Sequence, residues 1–194
     1  MENLIENITI EAARREDARA IGEAVVEAVG REITEDFAGK DHTVEDVVEL
    51  FTALARMEDS QYSYRNALVA RDTLTDATAG VIICYDGARL HELRRRFFEQ
   101  ARLRLGREME GMADETDPSE YYLDTLAVLP AYRRRGIASA LLQAAVERAH
   151  ATGKPAGLLV DKTNPSAERL YRALGFTDAG ERPFAGVMMK HLTL

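Results

Sequence analysis

The chain has 194 residues, of which 46% are hydrophobic and 30% charged, values typical of a globular protein with one core. Its formal net charge of −8 argues against a nucleic-acid partner, because such proteins usually carry a basic face. The single cysteine, Cys84, excludes a disulfide within the chain, and no apolar run approaches the roughly 20 residues of a membrane span. Since a signal-peptide pattern is also lacking, we expect a cytoplasmic protein without a membrane partner.

The first part of the chain predicts strands and helices in alternation. Residues 8–12 alternate like a strand, and apolar residues at helical spacing then predict a helix from about residue 16 to a stop at Gly30. Thr43, followed by Asp46, predicts the N-cap of a second helix. Residues 66–71 and 79–85 predict two paired strands joined by a polar turn.

Residues 88–110 form a less expected helical segment that contains seven arginines between Arg89 and Arg107. One apolar stripe is predicted to be buried, and it consists of Leu90, Leu93, Phe97 and Ala101. Phe98, Leu103 and Leu105 fall outside this stripe, so we expect them to be partly exposed and to need a second contact. We expect at most one or two of the arginines to be ion-paired. The acidic residues 112–119 are expected to form an exposed loop.

The second half again alternates strands and helices. Strands are predicted over residues 121–129, 156–160, 176–181 and 186–192, and helices over 137–151 and 164–174. The whole pattern predicts an α/β (α+β) fold with a mixed central sheet of about six to seven strands flanked by helices. In the absence of a linker or a repeat, we expect one domain over residues 7–194.

Between the strand at 121–129 and the next helix lies the basic turn Tyr132-Arg133-Arg134-Arg135-Gly136-Ile137-Ala138. The first amides of a helix have no intrahelical acceptor and lie at the positive end of its dipole, so they are available to a phosphate. Gly136 permits close approach of a ligand, and neighbouring arginines add charge-assisted contacts. The turn therefore predicts a pyrophosphate site.

Arg133-x-x-Gly136-x-Ala138 resembles the acyl-CoA signature of the GNAT (Gcn5-related N-acetyltransferase) superfamily, Gln/Arg-x-x-Gly-x-Gly/Ala. Residues 126–130 and 164–176 resemble the flanking motifs of that family in order and spacing, and the resemblance covers residues 121–176. It implies the GNAT acyl-CoA N-acyltransferase fold, acetyl-CoA as co-substrate and a primary amine as acceptor. The helix at 88–110 is then an insertion between strands 3 and 4, and we expect it to cover the acceptor side of the cleft or to form a homodimer contact.

The expected acyl-CoA site combines the turn with the preceding strand and a later helix. Its residues are Leu126, Ala127, Val128, Arg133, Arg134, Arg135, Gly136, Ile137, Ala138, Ser139, Asn164 and Tyr171. By resemblance, backbone groups of Leu126 and Val128 face the pantetheine arm where two strands separate, and a backbone amide there would polarise the thioester carbonyl. Asn164 serves either as a helix cap alone or also as a ligand contact.

Two residues are the candidate catalytic groups. Tyr171 lies seven residues after Asn164 on the same helix face, and its phenol stays protonated at neutral pH, as a general acid for the departing thiolate must. Alternation places Asp124 on the strand face of Leu126 and Val128, where some polyamine acetyltransferases of the family carry a glutamate base. A core tyrosine and a structural carboxylate are the alternatives.

The sequence therefore predicts an N-acetyltransferase that transfers acetyl directly to a small or polyamine-like amine or, less readily, to a protein. The alternative is a non-catalytic acyl-CoA-binding or regulatory protein of the same fold. The four histidines are scattered without ligand spacing, so no metal is expected.

Overall fold

The computed structural model describes residues 5–109 and 111–194. Over these residues seven strands form one mixed sheet in the order β1-β2-β3-β4-β5-β7-β6, which confirms the predicted sheet. The strands are β1 (Ile8–Ala12), β2 (Ala67–Asp72), β3 (Thr78–Asp86), β4 (Tyr121–Val128), β5 (Ala156–Val160), β6 (Thr177–Phe184) and β7 (Val187–Thr193). Neighbouring strands are antiparallel except β4 and β5, which run parallel.

Over residues 5–109 and 111–194, six α-helices pack on the two faces of this sheet. They are α1 (Ala18–Val29), α2 (Arg31–Ala38), α3 (Val44–Ala55), α4 (Leu90–Leu105), α5 (Ile137–Ala151) and α6 (Pro165–Ala173). Buried side chains of α1, α3 and α4 form a core on one side, called here the α1 face. Those of α5 form the core on the opposite side, the α5 face, to which α6 adds partly buried residues. In the described part of the chain, none of the helices has the length and apolar character needed to cross a membrane.

The helix starts follow local sequence chemistry. Thr43 caps α3 as predicted, since its hydroxyl accepts a hydrogen bond from the Asp46 amide while the Asp46 carboxylate accepts from the Thr43 amide. Gly30 ends α1 as predicted, but the chain then re-enters a helix at once, and α2 was not predicted. Gly30 has a φ of 90° and turns the chain between the two helices, and the buried Thr34 donates to its carbonyl oxygen at 2.8 Å.

Helix α4 joins β3 to β4, as predicted, but it is shorter than the expected segment 88–110. It ends at Leu105 because Gly106 adopts the left-handed conformation, with a φ of 63°, and its amide bonds back to the last turn. The predicted stripe from Leu90 to Ala101 is buried against the α1 face. The expectation for Leu105 was wrong, because it is only 5% exposed, whereas Leu103 is 66% exposed. Residue 110 lies outside the described residues.

The arginines and the acidic loop also depart from expectation. Arg89, Arg94 and Arg96 are all ion-paired, and Arg94 is only 2% exposed, so the helix is not a solvated basic surface. The loop over residues 112–119 is not simply exposed, because Glu115 turns inward and is 1% exposed. The attraction between the buried Arg94 and Glu115 charges offsets part of the desolvation cost of each. The homodimer contact through α4 stays a prediction.

Candidate active site

The sheet opens in its middle, between β4 and β5. Over the described residues, the pairing of these two strands is confined to Tyr121 with Ala156 and Tyr122 with Gly157, at the start of both strands. β4 remains paired with β3 along its whole length. From Leu123 onward, β4 and β5 therefore diverge and enclose a V-shaped gap, as predicted.

Backbone groups of β4 line this gap. The Leu129 amide donates to the Ala79 carbonyl oxygen at 2.9 Å, on the β3 side. Successive amides of an extended chain point in opposite directions. The amides of Leu126 and Val128 therefore point toward the gap, where a ligand can accept hydrogen bonds from them.

The closed end of the gap is held by a buried carboxyl group with two hydrogen-bond partners. Glu120 directly precedes β4, and its Oε2 lies 2.7 Å from His191 Nε2 on β7, while its Oε1 accepts from Thr116 at 2.6 Å. The carboxylate passes over Gly157 of β5, where an added Cβ would lie 2.0 Å from Oε2. Three strands are thus joined at the point from which the gap opens.

The predicted phosphate site lies at the open end of the gap. α5 begins at Ile137 after Gly136, which is left-handed with a φ of 82° and has no side chain to cap the first amides. Arg134 also has a positive φ, of 64°, and such a turn directs successive amides toward one side. The amides at the start of α5 and the dipole of this four-turn helix favour an anion there.

The three arginines of the turn have different surroundings. Arg133 donates through Nε to the Val128 carbonyl oxygen at 3.0 Å and also pairs with Glu27. Arg135 stacks over the Tyr132 ring at 5.5 Å. Arg134 is exposed. Of the three, Arg134 has the side chain most available to a phosphate, while Arg133 fixes the turn against β4.

On the other side of the gap, α6 presents Tyr171. Asn164 caps this helix, because its Oδ1 accepts from the Ala167 amide at 3.0 Å, with Pro165 as the first helical residue. Tyr171 packs against Phe176, with ring centroids 6.0 Å apart. Burial raises the pKa of Tyr171 to about 12, so its phenol carries a proton at neutral pH.

Asp124 lies on a different face from the one predicted. The β3–β4 register shifts between Ile83 and Cys84, which pair with Thr125 and Leu123, so Asp124 is the extra residue of a β-bulge. The bulge breaks the alternation on which the prediction depended. Leu126 and Val128 pack on the α5 face, whereas Asp124 bonds to Tyr85 on the α1 face.

The Asp124 carboxylate is held by three donors. Its Oδ2 accepts from Gln61 Nε2 at 3.0 Å and from Tyr85 Oη at 3.1 Å, and its Oδ1 accepts from Thr125 at 3.0 Å. Burial raises the pKa of Asp124, and these hydrogen bonds only partly oppose that rise. The carboxylate is therefore more basic than that of an exposed aspartate.

Tyr122 on β4 is a further buried phenol of this region. Burial raises its pKa, and electrostatic interactions with Asp124, Glu120, Tyr62 and Tyr171 add to the rise. Sequence reasoning identified Asp124 and Tyr171 but missed the side chains that surround the carboxylate, namely Gln61, Tyr85, Arg94 and Glu115. They come from separate segments, and only the apolar strand context of Tyr85 was visible in the sequence.

Comparison with known proteins agrees with this geometry. The acetyltransferase (GNAT) family matches residues 44–176, more than half of the chain. An N-acetyltransferase from Staphylococcus aureus Mu50 is 26% identical, with a TM-score of 0.77 over 96% of this chain and 100% of that one. A second acetyltransferase structure is 28% identical, with a TM-score of 0.74 over 95% and 97%.

The fold is also shared with yncA of Salmonella typhimurium, a protein described as a putative acetyltransferase and solved with its cofactor acetyl-CoA. It is 18% identical, with a TM-score of 0.57 over 97% of this chain and 93% of that one. No curated protein sequence matches the chain. The family match and the fold, with its central gap and glycine-started helix, lead to one conclusion: this chain belongs to the acetyltransferase (GNAT) family.

Proposed function

We propose that the protein transfers the acetyl group of acetyl-CoA directly to a primary amine of a small or polyamine-like acceptor. The observation that carries this proposal is the continuity of the gap with the start of α5. Amides of Leu126 and Val128 line the gap between β4 and β5, and Gly136 opens the anion site at its end. An extended thioester with a pyrophosphate at one end matches that sequence of groups.

In this proposal, different residues bind different parts of acetyl-CoA. The amides from Arg134 to Ser139 bind the pyrophosphate, with the Arg134 side chain next to it. Leu126, Ala127 and Val128 contribute main-chain groups to the pantetheine arm. Arg133 and Arg135 hold the turn in shape through Val128 and Tyr132. Asn164 acts by capping α6 and so by setting the position of Tyr171.

The chemistry then needs two proton transfers. The amine nitrogen attacks the thioester carbonyl carbon, a backbone amide at the gap stabilises the oxyanion, and the carbon–sulfur bond breaks. Asp124 takes the proton that the ammonium must lose, and Tyr171 supplies the proton that the thiolate gains. Its pKa of about 12 keeps Tyr171 protonated until the thiolate forms.

The test is thiol release from acetyl-CoA in the presence of a panel of primary amines, including diamines, polyamines and peptides with a free N-terminus. Tyr171→Phe should reduce kcat by roughly 10²–10⁴-fold while acetyl-CoA affinity stays unchanged. Tyr64→Phe is the matched control, because that phenol bonds to Glu58 on the surface. Acetyl-CoA binding without turnover on any amine would instead support a non-catalytic acyl-CoA-binding protein.

A further inference from the structure

A half-buried carboxyl group, that of Asp124, and a buried one, that of Glu115, share one phenol behind the gap. Tyr85 Oη lies 3.1 Å from Asp124 Oδ2 and 3.1 Å from Glu115 Oε1. Gln61 Nε2 reaches the same two oxygens, at 3.0 Å and 3.3 Å. Gln61, Tyr85 and Glu115 are all fully buried, so solvent does not substitute for a missing partner.

Counting protons shows what this arrangement favours. The two hydrogens of the Gln61 amide nitrogen can serve both carboxyl groups at once, but the phenol has a single hydrogen. Tyr85 therefore donates either to Asp124 or to Glu115. The second 3.1 Å contact becomes a hydrogen bond only when one carboxyl group carries a proton and donates it to the phenol oxygen.

Charge decides which carboxyl group takes that proton. Glu115 Oε2 pairs with the Arg94 guanidinium, which comes from α4 and is itself buried. Arg94 also pairs with Asp114 at 3.0 Å. A guanidinium in contact keeps Glu115 ionised. Asp124 has no such direct partner among the described residues, so the added proton belongs on Asp124, which donates to Tyr85 while Tyr85 donates to Glu115.

We propose that Glu115, acting through Tyr85, is a positioning residue that stabilises the protonated form of Asp124 and so prepares it to accept the acceptor's proton. This inference rests on the proposed function. In the step, one N–H bond of the ammonium breaks and an O–H bond forms on Asp124. No other group changes its proton count, because Tyr85 only turns its hydrogen from Asp124 to Glu115. Arg94, which pairs with Glu115, connects this hydrogen-bonded arrangement to the inserted helix α4.

Other ionisable groups surround Asp124 and enter any pH dependence. They are Arg94 on α4, Glu115 in the loop before β4, Tyr62 before β2, Cys84 and Tyr85 on β3, and Tyr122 on β4. Burial raises the pKa values of Tyr62, Cys84, Tyr85 and Tyr122, so these groups stay neutral near pH 7. Glu115 and Arg94 are then the charges that act on Asp124.

The test measures the pKa of Asp124 directly, by the carbon-13 shift of its carboxyl carbon in aspartate-labelled full-length protein, assigned with Asp124→Asn. Glu115→Gln removes a negative charge and should lower this pKa by on the order of one unit. Tyr85→Phe removes the oxygen to which protonated Asp124 donates and through which Glu115 acts, so it should also lower this pKa. Tyr62→Phe, another buried phenol beside Asp124, should leave it unchanged.

A general effect of removing a buried phenol would also change the pKa in Tyr62→Phe, whereas the proposed role requires only Glu115→Gln and Tyr85→Phe to lower it. An unchanged Asp124 pKa in folded Glu115→Gln would overturn the proposal, and if that variant does not fold, an Asp124 pKa that does not fall in Tyr85→Phe does the same. The acid limb of kcat/KM should follow each shift. Wild-type protein that transfers acetyl to no amine would reject the proposed function alone, since the carboxyl titration does not depend on turnover.

Discussion

Replacing Gly157 with alanine should destabilise the junction from which the gap opens. The new Cβ would lie 2.0 Å from Glu120 Oε2 and 2.4 Å from its Cδ, so the carboxylate has to leave its place. It would then lose His191 at 2.7 Å and Thr116 at 2.6 Å. Hydrogen bonds to a charged group contribute about 1.5–3 kcal/mol each, and part of that loss is recovered by relaxation. We expect a loss of roughly 3 kcal/mol in the free energy of unfolding.

For a chain of this length that loss corresponds to a fall in Tm of roughly 6–12 °C, measured by calorimetry with urea unfolding as a second assay. Backbone strain does not contribute, because Gly157 is not among the glycines with positive φ, and a glycine-to-alanine change by itself usually stabilises by about 0.4–1 kcal/mol. Glu120→Ala provides the control background. If Gly157→Ala costs as much in Glu120→Ala as in the wild type, the steric reasoning is refuted.

Three further experiments test other parts of the molecule. Gly136→Asp should weaken acetyl-CoA binding in calorimetry at least tenfold, because it puts a side chain and a negative charge at the start of α5. The control is Gly153→Asp, which changes a glycine of similar φ beyond the other end of that helix and should bind acetyl-CoA like the wild type. Burial raises the pKa of Asp17, but hydrogen bonds and charge from Arg71 outweigh this effect and lower the pKa below 3.8, so ionised Asp17 stabilises the fold above that pH. The free energy of unfolding should therefore fall as the pH drops through the lowered pKa, and it should fall less in Asp17→Asn. Burial raises the pKa of Cys84, so a thiol reagent should modify the native chain slowly and reach one thiol per chain in denaturant; rapid reaction of the native protein would contradict its burial.

Local chemistry made part of this structure predictable. The N-cap at Thr43, the start of α5 after Gly136 and the cap at Asn164 each depend on residues within one turn of the helix, and all three were confirmed. Reasoning from local residues also explains why α2 was missed. Gly30, with its positive φ, can either end a helix or turn the chain sharply into another helix. Only packing of α2 against α1 and α3 decides between them.

The environment of Asp124 was beyond sequence reasoning for a different reason. One extra residue in β4 reverses the face on which Asp124 lies, and such a bulge is defined by pairing with β3 rather than by the residue itself. Glu115 and Arg94 are far from each other in the chain and resemble ordinary surface charges. Their burial follows from their pairing, which exists only after α4 packs against the sheet.

The gap also makes β4 and β5 edge strands within the interior of a sheet, where edges are normally avoided. In the proposed acetyl-CoA complex, the amide groups of the pantetheine arm bind there as an added strand does, through main-chain hydrogen bonds that every residue type can make. The side chains of Leu126 and Val128 pack against the core of the α5 face and take no part in these main-chain hydrogen bonds. Under the proposed function, evolution can therefore change these two side chains to adjust packing while the main-chain edge keeps the same chemistry.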